Sequence, residues 1–505
     1  MNRHIIAEKL PKITKVMIPW QIFLLTICTY FILDFFSQSF KAYFFVALAS
    51  VFLLTAVLRK PVVAVLIVLF VTSPFIEPGK YYSFNVIEPR QVHWEPAKEF
   101  GMIEAYGLVT SDVLCIFFAY LSFRDMASSD VLRSIKRKHQ NYSIKIILCF
   151  LLLFFVLLLG SSLFVSGYST FSTVVTFQYF KMILFGLTMY YQLRKMNSFR
   201  SALSQIILGT LASIHLITLW QFVQKVLSFG LNQKSYIGTT EEMYLLYRPA
   251  GPFLHANQLA FVCVVLLLTL LILKDKLLYS RPLFLGTVIF STLATIIVSQ
   301  SRTVWIFVAI FFLKTMWQQS FGISSRLRKR FKGKEWLLTF FVLSTFLFIV
   351  FPRIYYSMYT DNDGSLTIRK QMISDAISAI VNSPYFGFGA GTNVLVMLSQ
   401  APSGYILDFP FAVHAAYLQV ALEAGILGAV FFFMPWIVLY KMTNALDNFF
   451  LIKETATSLR TVIRSAVFFI LMYYCLQPHS GRIEFFYLGL LMFTSVWAIE
   501  NRMKK

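Results

Sequence analysis

The sequence predicts an all-α fold: a polytopic bundle of about fourteen transmembrane helices, twelve at the fewest, with both termini cytoplasmic. One large extracytoplasmic loop carries an amphipathic helix. Three observations predict this. The 505 residues are 58% hydrophobic and only 13% charged, with a mean hydropathy of +0.69, whereas soluble domains are about 45–50% apolar and about 25% charged. Runs such as 144–164, 253–273 and 336–351 approach or reach the ~17–25 apolar residues that cross hydrocarbon. The alternating pattern of an outer-membrane barrel is absent. Finally, the net charge of +22 is not spread along the chain. Eight basic clusters between apolar runs, at 3–15, 59–60, 124–145, 194–200, 274–281, 314–334, 441–464 and 502–505, hold about 32 of the 45 Lys and Arg. That bias is the signature of cytoplasmic loops. The charge therefore reports topology, and nucleic acid is not expected as a partner.

Taken in order, the apolar segments are 18–37, 41–58, 61–76, 108–123, 144–166, 177–193, 201–227, 253–273, 283–299, 302–316, 336–352, 412–440, 464–477 and 485–500. With a cytoplasmic N-terminus, every basic cluster falls inside and an even count returns the C-terminus inside. Three regions follow: N-terminal helices over 1–247 with an outer loop at 77–107, a core over 248–440 that includes the outer loop 353–411, and C-terminal helices over 441–505. The five cysteines lie apart in apolar segments and form neither a disulfide framework nor a metal motif. No small-residue cleavage site follows the basic N-terminus, so the first span is expected to serve as its own insertion signal.

The loop at 353–411 is too long for a passive connector. Met372, Ile373, Ala376, Ile377 and Ile380 recur at helical spacing over 368–381. Arg369 projects onto that apolar face, which turns it toward the protein body, while Lys370 and Asp375 lie nearer its edges. Ser383-Pro384 ends the helix, and Gly387, Gly389 and Gly391 make the following stretch a flexible loop.

Four constellations carry chemistry. Arg248-Pro-Ala-Gly-Pro-Phe-Leu-His-Ala-Asn257 stands at the outer start of one span, and Ser299-Gln-Ser-Arg302-Thr forms a tight outer turn. Arg369 leads the loop helix, ahead of Ser-Pro-Tyr-Phe-Gly-Phe-Gly-Ala-Gly. His414-Ala-Ala-Tyr-Leu-Gln-Val-Ala-Leu-Glu423-Ala-Gly425 opens the next span. Arg248, Arg302, Arg369 and His414 thus all fall on the face of the membrane that carries few other cations. An arginine there also fits a bland role, snorkelling to lipid phosphates, and a lone histidine at a helix start also fits a structural one.

In this order the four constellations resemble the O-antigen ligase and O-unit polymerase superfamily of bacterial membrane glycosyltransferases, whose patterns run as Arg-x-x-Gly-x-Phe-x-x-x-Asn, Ser-x-Ser-Arg, an Arg-led helix before Pro-x-x-Gly-x-Gly, and His-Asn-x-x-Leu-x-x-x-x-Glu-x-Gly. The resemblance covers about 248–428, and departs at Ala415, where the family has Asn. It implies an enzyme of the bacterial cytoplasmic membrane that takes a glycan from a polyprenyl (undecaprenyl) diphosphate carrier. The glycan passes to the hydroxyl of a glycan or lipid acceptor on the outer side, polymerising or ligating an O-antigen, capsule or cell-wall polysaccharide. No cofactor or metal is implied, because the leaving phosphoanhydride supplies the driving force.

On that reading Arg248, Arg302 and Arg369 hold the donor diphosphate, since guanidinium forks match phosphate oxygens and stay charged. His414 serves the acceptor as general base, its ordinary pKa suiting proton transfer and the helix dipole favouring its neutral form. Asn257, Arg482 and Glu423 are supporting candidates: Asn257 as a helix-positioning amide, Glu423 as the partner of another polar group, Arg482 as part of an outer rim with His255, His479 and Glu484. Tyr81, Tyr82, Glu88, Arg90, His93, Trp94 and Glu95 in the 77–107 loop suit either a sugar-binding surface or an interfacial aromatic belt. A flippase or transporter of lipid-linked oligosaccharides is the alternative. Transporters, however, favour repeated halves and midplane sites, and this chain shows neither.

Overall fold

A computed structural model describes residues 13–36, 40–74, 110–127, 142–228, 249–253, 256–273, 282–299, 301–308, 310, 365–400, 412–444, 446, 453–478 and 482–503. Within these residues all regular structure is helical, with fourteen longer α-helices, a short helical segment at 302–308 and one π-helical turn. They are α1 (Ile13–Phe36), α2 (Phe40–Leu58), α3 (Pro61–Thr72), α4 (Thr110–Ala127) and α5 (Tyr142–Gly160), which runs into the π turn Ser161–Val165. There follow α6 (Ser169–Lys195), α7 (Asn197–Ser228), α8 (Ala256–Leu273) and α9 (Pro282–Val298). The remainder are α10 (Ser365–Asn382), α11 (Asn393–Gln400), α12 (Ala416–Met442), α13 (Lys453–Leu476) and α14 (Arg482–Met503).

Among the described residues, six stretches are long and apolar enough to cross a membrane: Ile144–Val165, Ser169–Lys195, Ser198–Gln224, Ala256–Leu273, Ala416–Met442 and Leu459–Leu476. Four shorter apolar helices accompany them, at Trp20–Phe36, Ala42–Leu58, Pro61–Thr72 and Phe284–Val298. The run Val62–Val71 is rich in β-branched residues that favour strands in water. In hydrocarbon a lone strand leaves every backbone group unpaired, and a helix pairs them all internally. Pro61 at its first turn loses only an N–H that has no helical partner anyway.

Burial sorts the helices into an inner and an outer set. α3 and α8 are apolar on every side and buried almost throughout, as is α14 from Glu484 to Glu500. α1, α2, α4 and the π turn after α5 turn Phe35, Phe45, Phe52, Tyr120 and Phe164 outward, as helices facing lipid should. α6 crosses α14 where Gly186 meets Phe493 and Gly489 meets the Met182 carbonyl, small residues permitting close backbone approach. Tyr179 of α6 stacks among Phe154, Phe432 and Phe485. Polar ties join helices that lack a hydrophobic reason to associate in lipid: Lys181 Nζ meets Asp112 Oδ1 at 2.6 Å, and Gln178 Nε2 donates to Asp112 Oδ2 at 3.2 Å.

Three expectations are corrected. The span expected at 464–477 belongs to a longer helix that starts at Lys453, because the basic segment before it continues the helix instead of looping. α12 begins at Ala416 and not at 412, so His414 stands just ahead of the helix in non-helical backbone. On α10 the buried arc is centred on Met372, Ala376, Ala379 and Ile380 and takes in Asp375, while Ile377 is exposed. α11 packs on that side through Val396 and Met397, rotating the arc away from Ile377. The segment 336–352, most of 302–316, and the loop 77–107 lie outside the described residues.

Candidate functional site

The glycine-rich stretch after α10 is not a free loop; it is a strap across a broken helix. Within α12, Gly425 adopts φ 74° and ψ 174°, a left-handed backbone that glycine alone enters without strain. The break exposes backbone groups that the strap pairs. Phe388 N–H donates to the Leu422 carbonyl at 2.7 Å, Gly389 N–H to the Glu423 carbonyl at 2.9 Å, and Ile426 N–H to the Pro384 carbonyl at 2.8 Å. A side chain at Gly425 would drive into the Tyr385 carbonyl, and one at Gly387 would come within 2.6 Å of the Glu423 backbone. On its other side the strap meets the π turn: Ala390 N–H donates to Ser162 Oγ at 3.1 Å, and Ser161 Oγ donates to the Glu423 carbonyl at 3.0 Å.

Glu423 is the polar centre of this joint. Its buried carboxylate accepts from Tyr179 Oη at 2.6 Å and Asn393 Nδ2 at 2.9 Å, and from the Gly391 backbone and the Gln419 side chain. Glu423 is thereby committed to joining α6, the strap, α11 and α12. Tyr179, Asn393, Ser161 and Ser162 carry no motif of their own in the sequence. Only the fold gives them this role.

The strap fixes α10 against α12, and with it Arg369 against His414. Met372, Ala376 and Ile380 pack on Val413, Ala415, Leu418 and Leu422, and Arg369 stands one turn before Met372 on the same face. It is half-buried, and its cation acts on His414. The imidazole Nδ1 is buried without a hydrogen-bond partner. Burial foremost, and the Arg369 charge second, push the His414 pKa down to about 4; the nearby Ala412 backbone acts in the opposite sense. His414 is therefore a neutral, hydrogen-bond-accepting ring at neutral pH.

The remaining sequence-predicted residues fall as follows. Arg302 opens a short helical segment and is exposed. Its turn is closed by Ser299 Oγ donating to the Ile296 carbonyl at 2.7 Å and by Trp305 Nε1 donating to the same carbonyl at 3.1 Å. Asn257 lies in the first turn of α8 and donates from Nδ2 to Gln477 Oε1 at 3.0 Å. The turn before it is clamped by Gln221, whose amide exchanges two 2.8 Å bonds with the Gly251 backbone. Arg482 opens α14, with its side chain outside the described set; Arg248, His255 and His479 lie outside it altogether. Glu484 is buried and accepts from Tyr474 Oη at 2.9 Å, so it is no rim residue.

Ala415 is the N-cap residue of α12 and contributes no capping side chain. The Ala416 N–H is instead taken by the Gln477 carbonyl at 3.0 Å. Among the described residues no group of three His, Cys, Asp or Glu side chains is arranged to hold a metal ion.

No curated protein matches the chain. A family model described as O-Antigen ligase matches residues 286–433, a stretch that encloses Arg302, Arg369, the glycine strap, His414 and Glu423. Over those residues the chain is similar to the O-antigen ligase family, and its described residues form apolar helices, six of them of membrane-crossing length.

Proposed function

We propose that the protein is a glycosyltransferase of the bacterial cytoplasmic membrane that transfers a glycan from polyprenyl (undecaprenyl) diphosphate to an acceptor hydroxyl outside the cell. The single observation that carries this reading is the pairing of a part-buried His414, its ring held neutral, with Arg369 on a helix strapped against it. About fourteen crossings with both termini cytoplasmic put that pair at the outer face, where lipid-linked glycans await transfer.

In the reaction the acceptor oxygen attacks the anomeric carbon while the bond from that carbon to the diphosphate oxygen breaks. The acceptor proton passes to Nδ1 or Nε2 of His414, and the electron pair leaves with the diphosphate. Arg369, with Arg302 and Arg248, meets the charge growing on that leaving group. Fixed guanidinium groups in a poorly hydrated site reorganise little as the charge develops. Glu423 and Asn257 support the site by positioning helices, and Arg482 stands at the start of α14 near the outer rim. The bound diphosphate also raises the basicity of the imidazole, so the donor itself readies the base.

His414→Ala separates this reading from a flippase. An enzyme loses turnover by about 10²–10⁴-fold, the usual worth of a general base, while still binding donor. Unchanged handling of lipid-linked glycan by the variant would instead favour transport.

A further inference from the structure

We infer that Gln477 is a positioning residue: its one side-chain amide and its carbonyl hold three motif-bearing segments in register, an inference resting on the glycosyltransferase reading above. Gln477 directly follows α13 and is buried, and the sequence gives it no motif. Its Oε1 accepts from Asn257 Nδ2 at 3.0 Å. Its Nε2 donates to Thr303 Oγ1 at 3.0 Å, and Thr303 adjoins Arg302. Its backbone carbonyl accepts from Ala416 N–H at 3.0 Å, two residues after His414, where Ala415 offers no cap. Tyr473, one turn earlier on α13, adds a bond from its hydroxyl to the Asn257 carbonyl at 3.5 Å. The Arg302 turn, the start of α8 and the start of α12 arise far apart in the chain. At the end of α13 they meet on one residue.

The bonding pattern needs a two-sided polar group. The Asn257 amide donates to Oε1 and the Thr303 hydroxyl, which can accept or donate, pairs with Nε2, so a side chain between them must accept toward Asn257 and offer a polar partner toward Thr303, as a primary amide does. In a poorly hydrated interior a mismatched partner leaves a polar group unpaired. The consequence reaches the chemistry through placement, because a displacement of about 1 Å in a positioning element can cost about 10²-fold in rate. Gln477 touches neither donor nor acceptor in this account.

The test compares kcat and donor KM of the full-length protein in nanodiscs, using a polyprenyl diphosphate-linked glycan and its acceptor. Gln477→Met keeps length and bulk but removes both side-chain bonds. It should lower kcat by about 10–100-fold, with donor KM within about threefold, as expected for misplacement in place of lost binding. Gln477→Glu keeps the acceptor for Asn257 and can accept from the Thr303 hydroxyl, so it should recover part of that loss. Thr303→Val should reproduce part of the Gln477→Met defect, and the double variant should be no worse than Gln477→Met alone. Thr292→Val, which removes an interhelical bond from His215, controls for general loosening and should leave kcat unchanged. Wild-type kcat in Gln477→Met, or a kcat loss that simply adds to that of Thr303→Val, overturns the inference and leaves the glycosyltransferase reading standing. Absence of turnover in the wild-type protein overturns that reading, and this inference with it.

Discussion

Partial burial of His414 beside Arg369 has a direct consequence for how turnover depends on pH. The imidazole is depressed from 6.5 to about 4, first by loss of hydration and then by the neighbouring cation. The acid limb of kcat/KM reports the free enzyme's base and should therefore fall near pH 4 and not near 6.5. Arg369→Gln removes one of the two lowering causes and leaves burial, the larger. Its acid limb should move upward without returning to 6.5, as a pH series with the variant would show; a limb already at 6.5 in the wild type would contradict the placement. The same depression links to stability. The folded state favours the neutral ring, so this contribution is complete above pH 6.5 and is lost as pH falls from there toward about 4. Arg369 was legible from its place on an apolar helical face. The partner that sets the pKa was not, because 45 residues separate Arg369 from His414 in the chain and only packing brings them together.

At the scale of elements, the joint between the strap and broken α12 is where the sequence misleads most. Gly387, Gly389 and Gly391 read as freedom of the backbone, yet each takes a positive φ that the docked strap requires. Glycine composition reports permitted conformations and says nothing of which one tertiary contacts select. Gly425 is a second case: nothing in its helical surroundings announces a break, and its left-handed backbone follows from Pro384, Tyr385 and Phe386 of the strap locking against it. Gly425→Ala should therefore be severely destabilising, through both the φ of 74° and the collision with Tyr385. Gly286→Ala, a helical position where an added Cβ meets no atom within 4 Å, should be neutral or stabilising by up to about 1 kcal/mol. Thermal unfolding in matched detergent reads both; equal midpoints for the two variants would remove the strap from the account. Among the described residues most helix positions were legible, since apolar run length and Pro or Gly punctuation are local; α11 and the first turns of α6, which begins at Ser169, were not. Misjudged boundaries such as those at Lys453 and Ala416 lie where polar residues continue a helix or apolar residues precede one.

Among the described residues of the whole molecule an inner set of buried helices packs within an outer set turned outward, and α10 places Arg369 beside His414. The overall class followed from composition and from the placement of Lys and Arg, which depend only on crossing the membrane. Convergence of the site did not, because Gln477 and Tyr179 lie on α13 and α6 and carry no recognisable pattern. Residues of ordinary type become part of a site only when helices far apart in sequence are packed. The central claim is that this packing serves glycan transfer from a lipid diphosphate. The most direct measurement supplies the purified protein in nanodiscs with a polyprenyl diphosphate-linked glycan and candidate acceptors, without nucleotide or added metal, and follows release of polyprenyl diphosphate. Stoichiometric release with a longer or transferred glycan is expected, a ladder of products marking a polymerase and a single transfer a ligase, with loss of both signals in Arg369→Ala. Verified donor left intact across a range of acceptors, or release that persists unchanged in Arg369→Ala, would contradict that claim.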